Sequence, residues 1–240
     1  MSVTLSVSAV CDVGCKKPNN EDLILLQSEM FRDGKRQAKF DTSKPVTIAV
    51  ADGIGGLNKG EVASESVLTA LRDILSGIPT DLSAEELREV FNTYTSETHN
   101  SMSKDMGSTL AGLFFYKNRL YRYHAGDSRI YRFRRGELER LTIDHSLREA
   151  GGQPTAPSNI ITNAIGGGSS AFIEFAEVES PFINNDIYLL SSDGMHDLVS
   201  RNEILTAMKK PDPAEKLTSL AKKLGGKDNI SVVIINIKER

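Results

Sequence analysis

The chain has 240 residues, 39 % hydrophobic and 25 % charged, with a formal net charge of −3 and no Trp. This is an ordinary globular composition, long enough for one well-buried domain, and its mild acidity offers no broad basic surface to nucleic acid or an anionic membrane. No apolar run approaches the ~20 residues of a membrane span, and two cysteines, Cys11 and Cys15, are too few for a disulfide framework. The expectation is one cytoplasmic, monomeric domain over residues 1–240 with reduced thiols.

In chain order, Val3, Leu5, Val7 and Ala9 alternate with Ser2, Thr4, Ser6 and Ser8, and no Lys or Arg precedes Lys16. That is a half-buried strand, not an export signal. β-branched and aromatic runs predict further strands at Leu23–Gln27, Val46–Ala51, Thr109–Tyr116, Leu120–His124, Ile130–Arg134, Phe172–Val178, Ile187–Ser191 and Ser231–Ile237. Ala63, Val67, Ala70, Leu71 and Ile74 recur at helical spacing, predicting a helix from about Glu61 to Leu75. Ser83 and Glu86 stand in capping-box positions before the stripe Leu87, Val90, Phe91 and Tyr94, and Ser200 with Glu203 repeats the pattern. Asp212-Pro213 opens a last helix that stops at Gly225–Gly226, and Glu149–Asn159, rich in Gly and Pro, reads as a surface loop. Strands and helices do not alternate, which argues against a parallel doubly wound sheet. Two antiparallel sheets packed as a sandwich and flanked by helices on both sides, an α+β fold, bury every stripe.

The informative residues are acidic and sit at strand ends: Asn20-Glu21-Asp22, Asp52-Gly53-Ile54-Gly55-Gly56, Gly126-Asp127-Ser128-Arg129, Ser192-Asp193-Gly194 with Asp197 beyond, and Asp228-Asn229. Each alone is ordinary turn chemistry. Together they can converge at one end of a sheet, where so many carboxylates cannot all stay ionised without a positive partner. All-oxygen ligands suit Mg²⁺ or Mn²⁺, and no Cys/His cluster suggests zinc. Two such ions ~3.5–4 Å apart can share a carboxylate and activate water, chemistry suited to the slow hydrolysis of phosphate monoesters. Gly53 is expected to turn the backbone sharply so that a carbonyl faces a metal.

These segments, with Gly60-Glu61-x-Ala63-Ser64, Gly107-Ser108-Thr109 and Asp144-His145-Ser146, make an ordered set that resembles the PPM family. Its members are metal-dependent, type 2C serine/threonine protein phosphatases, and the likeness is to their compact bacterial form, from about Val3 to Ile237. The resemblance implies that Asp52 bridges two ions, Mn²⁺ or Mg²⁺. Asp193 and Asp228 complete one shell, Glu21 and the Gly53 carbonyl the other, and Asp22 orients bound water. Asp127, with Asp193 or Asp197, is implied in a third, weaker site. It also implies direct attack of water on phosphorus, and substrates that are proteins phosphorylated by a serine/threonine kinase.

The sequence departs from the pattern in three places. Lys17, beside Lys16, stands where the family usually has a phosphate-gripping arginine; it supplies charge without a two-pronged contact. Ile54 occupies a position that is His in many eukaryotic members and often apolar in bacterial ones, so a proton for the leaving alkoxide must come from elsewhere or from metal-bound water. The flap after Asp144-His145-Ser146 is short, and Asn163 stands where an arginine is common. His145 has no acid or base partner nearby in sequence and is read as structural, His196 as near the cleft at best, and His99 and His124 fit no pattern. The competing reading is a catalytically impaired protein of the same fold that binds phosphoproteins as a regulator.

Overall fold

A computed structural model describes residues 3–55, 59–150, 160–182 and 185–239. Two antiparallel sheets pack face to face. The first runs in the order β10 (Glu137–Arg140), β9 (Arg129–Arg134), β13 (Ile187–Ser191), β14 (Ile230–Glu239), β1 (Val3–Asp12), β4 (Gly34–Asp41). The second runs β11 (Ile165–Gly166), β6 (Met106–Ser108), β5 (Val46–Gly55), β7 (Leu110–Tyr116), β8 (Arg119–Ala125), β12 (Glu174–Glu177). Strand β2 (Asp22–Leu26) also pairs with β5 and carries β3 (Glu29–Phe31).

The two-residue period of the strands divides their side chains between layers. Ile48 and Val50 of β5 join Leu5, Val7, Leu113, Val233 and Ile235 in the core between the sheets. Ala49 and Ala51 point the other way, beneath Val67, Leu71, Phe91 and Tyr94 of α1 (Lys59–Ser76) and α2 (Ala84–Ser101). On the far side Leu189, Val232 and Ile234 lie under Met195 of the short helix α4 (Asp193–His196), Ile204 of α5 (Arg201–Met208), and Leu217 and Ala221 of α6 (Pro213–Lys223). A one-turn helix α3 (Leu147–Ala150) precedes the flap region. This is the expected helix-flanked sandwich, and no helix among the described residues is long and apolar enough to cross a membrane.

Both predicted capping boxes form: Ser83 and Glu86, and Ser200 and Glu203, exchange side-chain and backbone hydrogen bonds. Asp212 precedes α6 as expected but makes no side-chain cap; its backbone is left-handed, with φ 51°. The predicted Thr109–Tyr116 strand breaks at Thr109, because Thr109 turns to the backbone of Asp52, and Phe172–Val178 shortens to β12. Strand β4 is not among the predicted strands: it is a largely exposed edge, Gly-Lys-Arg-Gln-Ala-Lys-Phe-Asp, with only Ala38 and Phe40 turned towards the core, too few to make an alternating pattern. Gly56 and residues 151–159 of the predicted loop lie outside the described residues.

Candidate active site

The acidic segments meet at one end of the sandwich. Register sets Asp22 opposite Asp52 across β2 and β5. The other sheet contributes Asp193, from the β13–α4 turn, and Asp228, just before β14. Small polar residues stitch the sheets together there. The Ser192 hydroxyl donates to Asp22 Oδ2 at 2.6 Å and accepts the Ser231 N–H at 2.9 Å. Asn229 Oδ1 accepts the Glu21 N–H at 2.8 Å, while its Nδ2 donates to the carbonyls of Val13 and Asn19. A Cβ on Gly194 would overlap the Asn229 carbonyl oxygen, so only glycine lets the Asp193 turn press against the Asp228-Asn229 backbone.

Asp52 is fixed through its backbone: its N–H donates to Thr109 Oγ1 at 3.0 Å, and its carbonyl accepts from the Thr109 N–H and the Ser108 hydroxyl. Gly53 belongs to β5 and is not a sharp turn, which corrects the sequence expectation. Its necessity is steric, since a Cβ there would overlap the Gly60 carbonyl oxygen. A Cβ on Gly60 would in turn overlap Glu21 Oε1 and stand 2.7 Å from the Gly53 carbonyl oxygen. The two bare backbones therefore make a cradle into which the Glu21 carboxylate and the Gly53 carbonyl both point.

Arg32 is a positioning residue that sequence reasoning missed. Its Nη1 donates to the carbonyls of Asn20 and Asp22 and to Ser64 Oγ, and Nη2 donates to the Glu61 carbonyl. The first acidic segment is thereby clamped to the start of α1, and Ser64 Oγ donates to the Glu21 carbonyl at 2.6 Å.

The site is electrostatically overloaded. Burial, and then Asp193 and Asp228, push Asp22 up to about 7 against the hydrogen bonds of Ser192 and Ser231. Burial and then the charges of Asp22, Asp193, Asp127 and Asp228 hold Asp52 well above the carboxylate range. Asp193 rises to about 6 through burial, Asp228 and Asp197, and Asp127 to about 7 through burial, Asp193 and Asp144. Glu21 rises by burial, partly offset by Lys17. Oδ1 of Asp22 and Oδ1 of Asp193 are buried without a hydrogen-bond partner. Buried acceptors left unpaired are costly. These oxygens and the Glu21–Gly53 cradle fit hard divalent cations, which take oxygen ligands.

Lys17 lies at the rim. Its ammonium is 2.8 Å from Asp228 Oδ1 and 3.9 Å from Glu21 Oε2. Partial burial disfavours its charge, but Asp228, Glu21 and Asp52 outweigh it and hold its pKa above the usual value.

Two further motifs zip together behind Asp127. Arg129 forks onto Asp144 with bonds of 2.9 and 2.6 Å. The Gly126 N–H donates to His145 Nδ1, and the His145 N–H donates to the Gly126 carbonyl. His145 does have an acid partner, contrary to its sequence reading: Glu174 Oε1 lies 3.4 Å from Nε2. His124 stacks on it at 4.2 Å and reaches the Gly126 carbonyl through Nε2. Asn163 faces this network, not a phosphate: its Nδ2 is 2.8 Å from His145 Nδ1, and its amide pairs with the Phe172 backbone.

Among the described residues His124, His145 and Glu174 are the only group of three whose ligand atoms lie within 4.8 Å of one another, closer than the aspartates. Proximity is outweighed here by donor chemistry. His145 Nδ1 accepts a backbone N–H, so in the neutral ring Nε2 carries the proton and points it at Glu174. Arg122 already neutralises Glu174, and His124 with Arg122 holds its pKa down at about 2. The remaining histidines are also engaged, His196 with Ser191 Oγ and His99 with the Gly166 N–H. Cys11, buried between Asn20 and Ser231, has its thiol pushed up by burial, and Cys15 is exposed; both are free.

The family model described as Protein phosphatase 2C matches residues 27–221. The protein phosphatase PhpP of Streptococcus pneumoniae is 31 % identical over 260 aligned positions, covering 98 % of each chain. The S. agalactiae serine/threonine phosphatase superposes with a TM-score of 0.82 at 26 % identity, over 96 % of this chain and 98 % of that one. The catalytic domain of the serine/threonine protein phosphatase PstP, solved in complex with two manganese ions, gives 0.76 at 30 % identity over the full length of both.

Proposed function

The chain belongs to the protein phosphatase 2C family, and on that premise we propose that it is a single-domain, divalent-metal-dependent phosphatase of phosphoserine and phosphothreonine in proteins. The observation that carries this reading is the buried carboxylate group, with orphaned oxygens on Asp22 and Asp193 and the Glu21–Gly53 cradle beside it. In this reading Asp52 is shared between two ions, Mn²⁺ or Mg²⁺. Asp193 and Asp228 serve one; Glu21 and the Gly53 carbonyl serve the other. Asp127, with Asp193 or Asp197, serves a third and weaker site. Such ions, when bound, lower the pKa of water and neutralise phosphoryl oxygens.

The chain's own residues do the rest. Lys17 offers a single positive point to a phosphoryl oxygen, and with three N–H donors it can do so while still paired with Asp228. Ile54 has no proton to give, and each of the four histidines makes a hydrogen bond away from the carboxylates, so the leaving group would take its proton from a carboxyl group or from bound water. Asp22, buried with one oxygen held by Ser192 and the other free, is placed for that work. We place the protein in the cytoplasm as a monomer, acting on the products of a serine/threonine kinase.

The test is hydrolysis of phosphoserine, phosphothreonine and phosphotyrosine peptides with Mn²⁺ and with chelator. Metal-dependent release from the first two supports the reading. Binding without turnover would favour a phosphoprotein-binding regulator instead.

A further inference from the structure

Next along β5 from Gly53 lies a groove whose lining mixes aliphatic and polar side chains and includes none of the site carboxylates. The groove has a volume of about 530 Å³, with Ile54, Met106, Ile160 and Ile161 among its lining residues. Its floor is nearly bare backbone: Gly107 and Gly166 pack so that a Cβ on Gly107 would stand 3.3 Å from Gly166. Ile54 is 39 % exposed and Ile160 43 %, whereas Ile48 of the same strand and Ile165 of β11 are fully buried. Two large aliphatic side chains are thus held facing one concavity. Pockets of this size that set apolar side chains beside polar groups are typical binding sites.

Position ties the groove to the chemistry. Ile54 follows Gly53 directly in β5, and the register sets Gly53 opposite Ser108 and Ile54 opposite Gly107. The groove therefore starts one strand position, ~3.8 Å, from the Gly53 backbone. At the rim Asp105 pairs with Lys59, and Lys104 also lines the groove. An occupant of the groove that also presents a phosphate to the cleft must be the polypeptide carrying that phosphate.

We propose that this groove is a subsite for an apolar side chain flanking the phosphorylated residue, within about three positions of it given the ~3.3–3.6 Å rise of extended chain. The proposal rests on the phosphatase reading and adds a substrate preference to it. A Leu, Ile or Met there removes its own surface and that of Ile54 and Ile160 from water. A Ser there covers little of that surface and leaves Ile54 and Ile160 wet, whereas an Asp or Glu could turn to Lys104 and is no clean contrast.

The test uses matched phosphothreonine peptides that differ only by Leu or Ser at each flanking position from −3 to +3, with an aryl phosphate as a probe too small to reach the groove. The wild type should prefer Leu at one or more positions by roughly tenfold in kcat/KM. Ile160→Asp should bring that ratio to near one or invert it, and Ile160→Ala should lower it part-way. Aryl phosphate turnover in each variant reports whether the catalytic centre is intact. Wild type that hydrolyses both peptides and aryl phosphate with no flank preference overturns the subsite while leaving the phosphatase reading in place. No hydrolysis of any substrate overturns the phosphatase reading itself. A dimer in sedimentation that Ile160→Asp dissociates, with the peptide ratio unchanged, overturns the subsite in favour of a contact between copies.

Discussion

Stripping the metal should leave Asp22 favouring the fold in mild acid over mild alkali, the reverse of the usual carboxylate trend. Asp22 is fully buried and its pKa rises from 3.8 to about 7, chiefly by burial. A folded pKa above the unfolded one means that the native state binds the proton more tightly. Its contribution is fully present below the unfolded value and is lost as pH rises through the folded value. For a shift of this size, lowering pH from 8 to 5.5 adds about 2 kcal/mol through Asp22 alone, opposed over the same range by His196 and His145, whose pKa values burial lowers. Asp193 and Asp127 are shifted in the same direction, but the groups share one field, so their effects are not summed. For a chain of this length the change corresponds to a rise of roughly 4–8 °C in Tm. The assay is thermal unfolding across that pH range with EDTA and with excess Mn²⁺. With Mn²⁺ the slope should flatten or reverse, because the ligands must be ionised to bind. A chelated protein whose pH dependence between 8 and 5.5 is unchanged by Asp22→Asn would falsify the claim that these aspartates converge.

Ser192→Ala removes the hydroxyl that joins Asp22 to the Ser231 N–H, leaving buried groups unpaired; urea denaturation should show a loss of about 2–4 kcal/mol. Gly60→Ala adds helix propensity but drives a methyl group into Glu21 Oε1, so titration calorimetry should show Mn²⁺ affinity at one site falling at least about tenfold. Unchanged affinity would remove Glu21 from the metal centre. Lys17→Ala should raise KM for phosphopeptides by roughly tenfold with a smaller change in kcat, and should not weaken Mn²⁺ binding, since it removes a cation from Asp228. Equal losses in kcat and kcat/KM would assign Lys17 to the transition state alone.

The acids were legible in the sequence because strand-end carboxylates beside apolar runs are conspicuous, and the sandwich because the strands alternate so regularly. The pieces that hold the acids in place were not. Ser192 and Asn229 stood in the motifs as letters, but their bonds cross from one sheet to the other, spanning 170 residues from Ser192 to Asp22 and 208 from Asn229 to Glu21. Arg32 belongs to none of the motifs, and it acts on carbonyls, which carry no sequence signal. Gly53 was noticed for the wrong reason: its demand comes from Gly60 across space and not from its own turn. His145 looked isolated because Glu174 reaches it from a strand 29 residues on. Strand β4 escaped because an exposed edge needs no hydrophobic pattern.

The central claim is that the oxygens around Asp52 hold the metal. Anomalous diffraction at the manganese edge from Mn²⁺-soaked crystals reads this directly. The account predicts two strong peaks flanking Asp52, one also touching Asp193 and Asp228, the other Glu21 and the Gly53 carbonyl. A sole peak among His124, His145 and Glu174, or no peak beside Asp52 at millimolar Mn²⁺, would contradict it.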